Sequence, residues 1–176
     1  SIDMGAGNDS VGIMVTGSNG TPSYASLNIT KLDGGAGTDT LSFGNIGSQG
    51  STELTLTHGG VTNFENIGGT GGADIIRGDS GNNTLSGSGG ADTIYGGSGN
   101  DNVYAYGSDY ADRASDDTGN DNLYGQAGND FLLASAGDNI LDGGTGADLI
   151  TSGSGSDIII LRVGDGGSTL ADADTI

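Results

Sequence analysis

Gly96-Gly-Ser-Gly-Asn-Asp-Asn-Val-Tyr104 and Gly143-Gly-Thr-Gly-Ala-Asp-Leu-Ile-Thr151 share one pattern: glycine at positions one, two and four, aspartate at six and a large aliphatic at eight. Outward from these, the same nine-residue unit runs almost end to end from Gly69 to Ile160. Its glycine, acid and aliphatic recur as Gly72/Asp74/Ile76, Gly81/Asn83/Leu85, Gly90/Asp92/Ile94, Gly99/Asp101/Val103, Gly119/Asp121/Leu123, Gly128/Asp130/Leu132, Gly137/Asn139/Leu141, Gly146/Asp148/Ile150 and Gly155/Asp157/Ile159. Two further copies, Gly7/Asp9/Val11 and Gly37/Asp39/Leu41, stand apart from the array. A glycine-rich linker would scatter its glycines; it would not hold an aliphatic four residues after each of these.

Residue types within the unit divide it into a turn and a strand. Glycines admit positive φ and close backbone approach, so the first six residues can curl with their carbonyls aimed at one spot. Aspartate adds a hard anionic oxygen there, and calcium takes six to eight oxygen ligands at about 2.3–2.6 Å. The last three residues form a short strand in which only the aliphatic faces inward. Two units then make one coil, with turns on two opposite edges, and turns eighteen residues apart stack on the same edge. A cation can be shared between stacked turns.

The array resembles the RTX family, the repeats-in-toxin group of secreted bacterial proteins. The resemblance implies an all-β fold, a parallel β-roll or β-solenoid with calcium ions between its stacked turns. It also implies the ligands: main-chain carbonyls of positions two and four with the acid of one turn, and carbonyls of positions one and three with the acid of the turn one coil on. Carried onto this sequence, one edge stacks Asp74, Asp92, Asp121, Asn139 and Asp157, and the other Asn83, Asp101, Asp130 and Asp148, provided that the interruption at 105–115 preserves the alternation. Asp9 and Asp39 join the acids from the outlying copies. The carbonyls fall to Gly87, Gly96, Gly125 and Gly143 at position one, to Gly35, Gly97 and Gly144 at position two, and to Gly37, Gly72, Gly81, Gly90, Gly99, Gly119, Gly128 and Gly146 at position four. About six to nine calcium ions are expected.

Departures from the pattern grade these sites. Asn83 and Asn139 keep an oxygen but lose its charge, which predicts weaker binding. Position two is Thr70, Asp79, Ser88, Asp117, Gln126 or Ser135 in several copies. The strongest sites are expected to pair Asp101 with Asp130, Asp130 with Asp148, and Asp74 with Asp92.

Composition agrees with a cation-dependent fold. Twenty-three acids against four bases give a net charge of −19, and the positive residues are Lys31, Arg77, Arg113 and Arg162. Such a chain repels phosphate backbones and anionic membranes, which excludes nucleic acid as a partner. No apolar run is long enough for membrane insertion. Without cations the acids would crowd one another along both edges. One buried aliphatic per nine residues is little against the entropy of ordering them, so metal binding is expected to supply much of the folding free energy. The absence of cysteine fits an exported bacterial protein that does not depend on disulfides.

The rest of the chain is less regular. Residues 1–68 read as longer coils of the same solenoid forming an amino-terminal cap, or as a separate small β domain, with a strand at 53–57. Val61-Thr-Asn-Phe-Glu-Asn-Ile67 resembles the irregular element that opens RTX arrays. The core then spans 69–160 with a bulge at 105–115, whose Asp109 and Asp112 either add a cation site or are merely solvated. Tyr95, Tyr124 and Tyr104 fall at the outward ninth position, suited to cross-strand packing or to gripping a sugar ring. Asp157-Ile-Ile-Ile-Leu161 is apolar on both faces and needs cover, and 161–176 resembles the start of the closing cap. The chain begins with Ser1 and breaks off at Ile176 in an apparent strand, as expected of a segment of a longer protein.

No catalytic constellation is present. His58 is the lone histidine and cannot make a zinc protease site. The Gly-x-Ser-x-Gly look-alikes around Ser86 and Ser152 are read as turn residues. The resemblance implies a calcium-binding module, not an enzyme. Its export would be unfolded, by type I secretion, with folding in extracellular calcium as a scaffold of a secreted or cell-surface protein. The competing expectation is a module that binds polysaccharide or neighbouring copies of itself, as in an S-layer or adhesin.

Overall fold

The alternation of short aliphatic strands and glycine turns leaves no stretch able to form a helix, and the described residues contain none. The structure is a computed structural model describing residues 2–12, 32–42, 53–55, 61–106 and 118–162. The expected strands between 14 and 30, His58, most of the 105–115 interruption and the closing element after Arg162 lie outside these residues.

Every pairing between strands is parallel. One sheet has six strands: β5 (Glu53–Thr55), β8 (Ile75–Arg77), β10 (Thr93–Ser98), β12 (Asn122–Ala127), β14 (Ile140–Thr145) and β16 (Ile158–Ile160), adjacent in that order. The second has seven: β2 (Ser10–Gly12), β4 (Thr40–Ser42), β7 (Asn66–Gly68), β9 (Thr84–Ser88), β11 (Asn102–Tyr106), β13 (Phe131–Leu133) and β15 (Leu149–Thr151). Successive units of the array go to opposite sheets, so the chain winds as a parallel β-roll. A third, three-stranded sheet joins β1 (Ile2–Asp3), β3 (Leu32–Asp33) and β6 (Val61–Thr62).

Register follows the repeat. Ile76, Ile94, Leu123, Leu141 and Ile159 stand in line in the first sheet, and Leu41, Ile67, Leu85, Val103, Leu132 and Ile150 in the second. These eighth-position side chains meet between the sheets and are fully buried, apart from Ile159 at the end, which packs against the core from a half-buried position. Parallel ladders of branched aliphatics in line are the arrangement that one inward residue per strand permits.

The interruption does not disturb the alternation. Val103 in β11 pairs forward with Leu132, and Ile94 in β10 with Leu123, so the strand after the interruption lies in its proper sheet. At the carboxyl end Ile158 and Leu161 are 58% and 56% exposed, and among the described residues no strand pairs with β16 on the side away from β14.

Candidate metal centre

The sixth-position acids form two ladders, one along each edge of the roll. Each carboxylate reaches back one coil and accepts, through Oδ1, the backbone N–H of the preceding acid. On the first edge Asp74 N–H donates to Asp92, Asp92 to Asp121, Asp121 to Asn139 and Asn139 to Asp157, at 2.8 to 3.0 Å. On the second Asn83 donates to Asp101, Asp101 to Asp130 and Asp130 to Asp148, each at 2.8 Å. The second edge continues amino-terminally: Asp9 N–H donates to Asp39 Oδ1 at 2.8 Å and Asp39 N–H to Glu65 Oε2 at 2.7 Å.

Glu65 is the site-row residue that the repeat pattern does not announce. Asp33 and Thr40 pair with Thr62 and Asn66, so the six residues 34–39 of one coil stand against the three residues 63–65 of the next and the turn at Asn63 is three residues shorter. Asn63 takes the turn's first place with φ 56°, a conformation that asparagine tolerates better than most non-glycine residues. Phe64 fills the core beside it. In the sequence this coil shows as the Val61–Ile67 stretch that resembles an opening element, without the glycines that mark Glu65 as a site residue.

The second carboxylate oxygen faces inward. Oδ2 of Asp9, Asp39, Asp101 and Asp130 is buried and receives no hydrogen bond. A buried ionised oxygen without a donor is costly, and a cation is the partner that removes the cost. The space beside it is kept open by the first glycine of the turn: a Cβ built on Gly96 would lie 2.5 Å from Asp101 Oδ2 and 2.7 Å from the Gly125 carbonyl oxygen. That glycine has no positive φ; the missing side chain is what matters. At Gly125 a Cβ would likewise press on Asp130 Oδ2 and lie 2.5 Å from the Gly143 carbonyl. Carboxylate and next-coil carbonyl thus converge on one small oxygen-lined space. Among the described residues no three His, Asp or Glu side chains cluster as a metal site, so a cation here draws on main-chain oxygens as well. Hard oxygens, one acid per turn and a space a methyl group would fill suit calcium.

Position four needs glycine for its backbone. Gly99 has φ 103°, and a Cβ there would sit 2.7 Å from the Gly81 carbonyl of the coil before. Stacking of the turns depends on that close approach.

Charge crowding shows in the acids themselves. Burial pushes the Asp101 carboxyl up to about 6, against the donated Asn83 N–H and with the nearby Asp79 charge adding to the rise. Burial, then the charges of Asp101 and Asp148, push Asp130 up to about 7 despite the N–H of Asp101. Both acids hold protons more tightly than an exposed aspartate, as expected where a positive charge belongs.

Two turns satisfy themselves differently. Asp74 accepts the Thr70 N–H at 2.6 Å through Oδ2 and the Thr70 hydroxyl at 3.0 to 3.1 Å through both oxygens. Asn139 turns its amide to the Gly137 carbonyl at 3.1 Å, the Ser152 carbonyl at 3.4 Å and Asp157 Oδ1 at 3.0 Å. Ala134, buried, stands there in place of the first glycine. In that turn a methyl and an amide occupy the space that carboxylates and carbonyls leave open elsewhere. Ser86 is not in a turn, as its sequence neighbours suggest; it lies in β9, and its hydroxyl donates to the Tyr106 carbonyl at 2.7 Å.

A family model, the RTX calcium-binding nonapeptide repeat, matches the chain in four copies, at residues 31–45, 68–103, 106–141 and 133–167. No curated protein matches it. The matched segments cover well over half of the chain and include both ladders from Asp74 to Asp157 and from Asn83 to Asp148, whose buried acids suit the cation that the family binds. The chain belongs to the family of RTX calcium-binding nonapeptide repeats.

Proposed function

We propose that this chain is a calcium-folded β-roll that serves as a folding and scaffold segment of a larger secreted or cell-surface bacterial protein. The observation that carries this is the set of buried Oδ2 atoms of Asp9, Asp39, Asp101 and Asp130, each without a hydrogen bond, with the turns of the last three kept open by Gly34, Gly96 and Gly125. A fold that buries carboxylates in this way is at a disadvantage until a cation arrives, so the ion acts as the trigger of folding. Extracellular calcium would supply it after export from a calcium-poor cytosol.

The ions number about six to nine and sit between stacked turns. Their ligands are the carboxylates of Asp9, Asp39, Asp92, Asp101, Asp121, Asp130, Asp148 and Asp157, with carbonyls such as those of Gly96, Gly125 and Gly143. Asp74, expected from the sequence to form one of the strongest sites with Asp92, is held by the Thr70 N–H and hydroxyl, so its turn and that of Asn83 hold calcium more weakly. The turn of Ala134 and Asn139, whose space a methyl and an amide fill, holds none. Residues 1–68 act as an amino-terminal cap, since β2, β4 and β7 continue the edge of the seven-stranded sheet. Scaffolding is the role, with no reaction of its own.

Far-UV circular dichroism during a calcium titration from chelator tests this. A cooperative rise of β signal, with magnesium much weaker, is the expected result. A chain already folded in chelator would overturn it.

A further inference from the structure

The outward face of the six-stranded sheet carries a feature that calcium binding does not use. Position nine presents Arg77, Tyr95, Tyr124 and Asp142 in direct register on four neighbouring strands. The Arg77 guanidinium lies 4.8 Å from the Tyr95 ring centre. The Tyr95 and Tyr124 rings stack 5.0 Å apart and within 10° of parallel. Both faces of Tyr95 are therefore covered, while Tyr124 turns its far face towards Asp142. There Arg162 holds Asp142 with two N–H···O bonds of 2.5 Å.

A groove of about 340 Å³ opens at this point, lined by Tyr124, Gln126, Asp142, Gly144, Thr145 and Arg162. Gln126 is held at φ 81°, a backbone conformation that favours glycine, and its neighbours in register, Gly97 and Gly144, are glycines. Strain of this kind persists where the side chain does something glycine cannot. Here it places the Gln126 side chain on the wall of the groove, where the neighbouring Gly144 packs directly on the Gln126 backbone.

We infer that this groove binds the apolar face of a neutral pyranose ring. An aromatic face bordered by an amide, a hydroxyl, a carboxylate and a guanidinium offers one flat apolar surface with donors and acceptors at its rim. The C–H face of a sugar and its equatorial hydroxyls match that arrangement, and the volume suits one or two rings. Asp142 and Arg162 neutralise each other, and the chain's charge of −19 repels acidic sugars, so the ligand is uncharged.

Saturation-transfer NMR on the calcium-loaded chain, with the methyl glycosides of glucose, galactose and mannose and a β-1,4-glucan oligosaccharide as probes, tests the site. Transfer to the protons of one sugar face is expected. Tyr124→Ala should weaken binding about tenfold, Tyr124→Phe much less. Gln126→Gly separates binding from folding: it relieves the backbone, so melting temperature should hold or rise while affinity falls. If Tyr124→Ala does not fold in calcium, Gln126→Gly decides alone. No transfer from any probe, binding indifferent to Gln126→Gly, or binding of a polyuronate only would overturn the proposal.

Discussion

The backbone N–H of Asp101 donates to Oδ1 of Asp130, 2.8 Å away and twenty-nine residues on, across the interruption. One carboxylate thereby ties two coils together while its Oδ2 is left for a cation. Asp130→Asn separates the two jobs, since an amide oxygen can still accept the Asp101 N–H but brings no charge. Calcium affinity should fall about tenfold for the affected site, with the β signal at saturating calcium unchanged. Isothermal titration calorimetry checks this; an unaltered isotherm would show that Asp130 is not a ligand.

Acid should compete with calcium in a defined window. An ordinary aspartate titrates at 3.8, whereas Asp101 and Asp130 are raised to about 6 and about 7. Between those limits the cation-free folded state binds more protons than the unfolded one, so its stability falls as pH rises through the window. Calcium displaces the same protons, and its affinity therefore increases over that range. Binding should release protons at about pH 6 and hardly any at about pH 8.5. Titrations in buffers of different ionisation enthalpy measure the release, and equal release at both values would sink the linkage.

The two sheets were legible because the repeat fixes which side chain points inward: Leu123 is buried for the same reason as Leu132, a position in a period. Edge assignment was legible through the alternation, and the insertion at 105–115 tested it without breaking it. Glu65 was hidden because its coil lost three turn residues, which removed the glycines that mark a copy. Asn139 read as a weakened ligand; only with Ala134 beside it does the turn become a hydrogen-bonded one. The fifth position was hidden for another reason. It is free in the pattern, so no spacing rule draws attention to what its side chain reaches.

That fifth position carries a second ladder running opposite to the first. Asn82 Oδ1 accepts the N–H of Asn100 at 2.8 Å, Asn100 that of Asn129 at 2.9 Å, and Asn129 that of Ala147 at 2.9 Å. Acids at position six reach back a coil, and asparagines at position five reach forward. Asn100→Ala removes one forward link without touching a carboxylate. It should cost about 1 kcal/mol, seen as a lower melting temperature in saturating calcium, with calcium stoichiometry intact. Loss of an ion instead would mean that Asn100 belongs to the metal centre.

Glycine at position one protects the cation space and not the backbone. Gly96→Ala would set a methyl 2.5 Å from Asp101 Oδ2, where the conformation itself is tolerant of alanine. Its effect should appear as one weakened calcium site. Gly99→Ala meets a strained φ of 103° and the Gly81 carbonyl together, and should lower stability by about 1–2 kcal/mol at every calcium concentration. Calcium-dependent thermal melts distinguish the two: the Gly96→Ala deficit should shrink as calcium rises, and the Gly99→Ala deficit should not. Identical calcium dependence would show that the first glycine is there for its backbone.

The turn at Ala134 and Asn139 offers the reverse experiment, building a site instead of removing one. Its amide contacts with the Gly137 and Ser152 carbonyls stand where carboxylate and carbonyls face an open space elsewhere. Asn139→Asp alone sets a carboxylate against Asp157, which now accepts the Asn139 amide at 3.0 Å, and the Ala134 methyl still fills the space. That variant should lose stability in chelator and gain no ion. With Ala134→Gly added, the turn matches that of Gly125 and Asp130, and the chain should bind one more calcium. Metal analysis after equilibrium dialysis counts the ions directly. If the double variant binds no more than the parent, the amide is not what keeps the cation out, and the carbonyls of this turn are placed too poorly to serve as ligands.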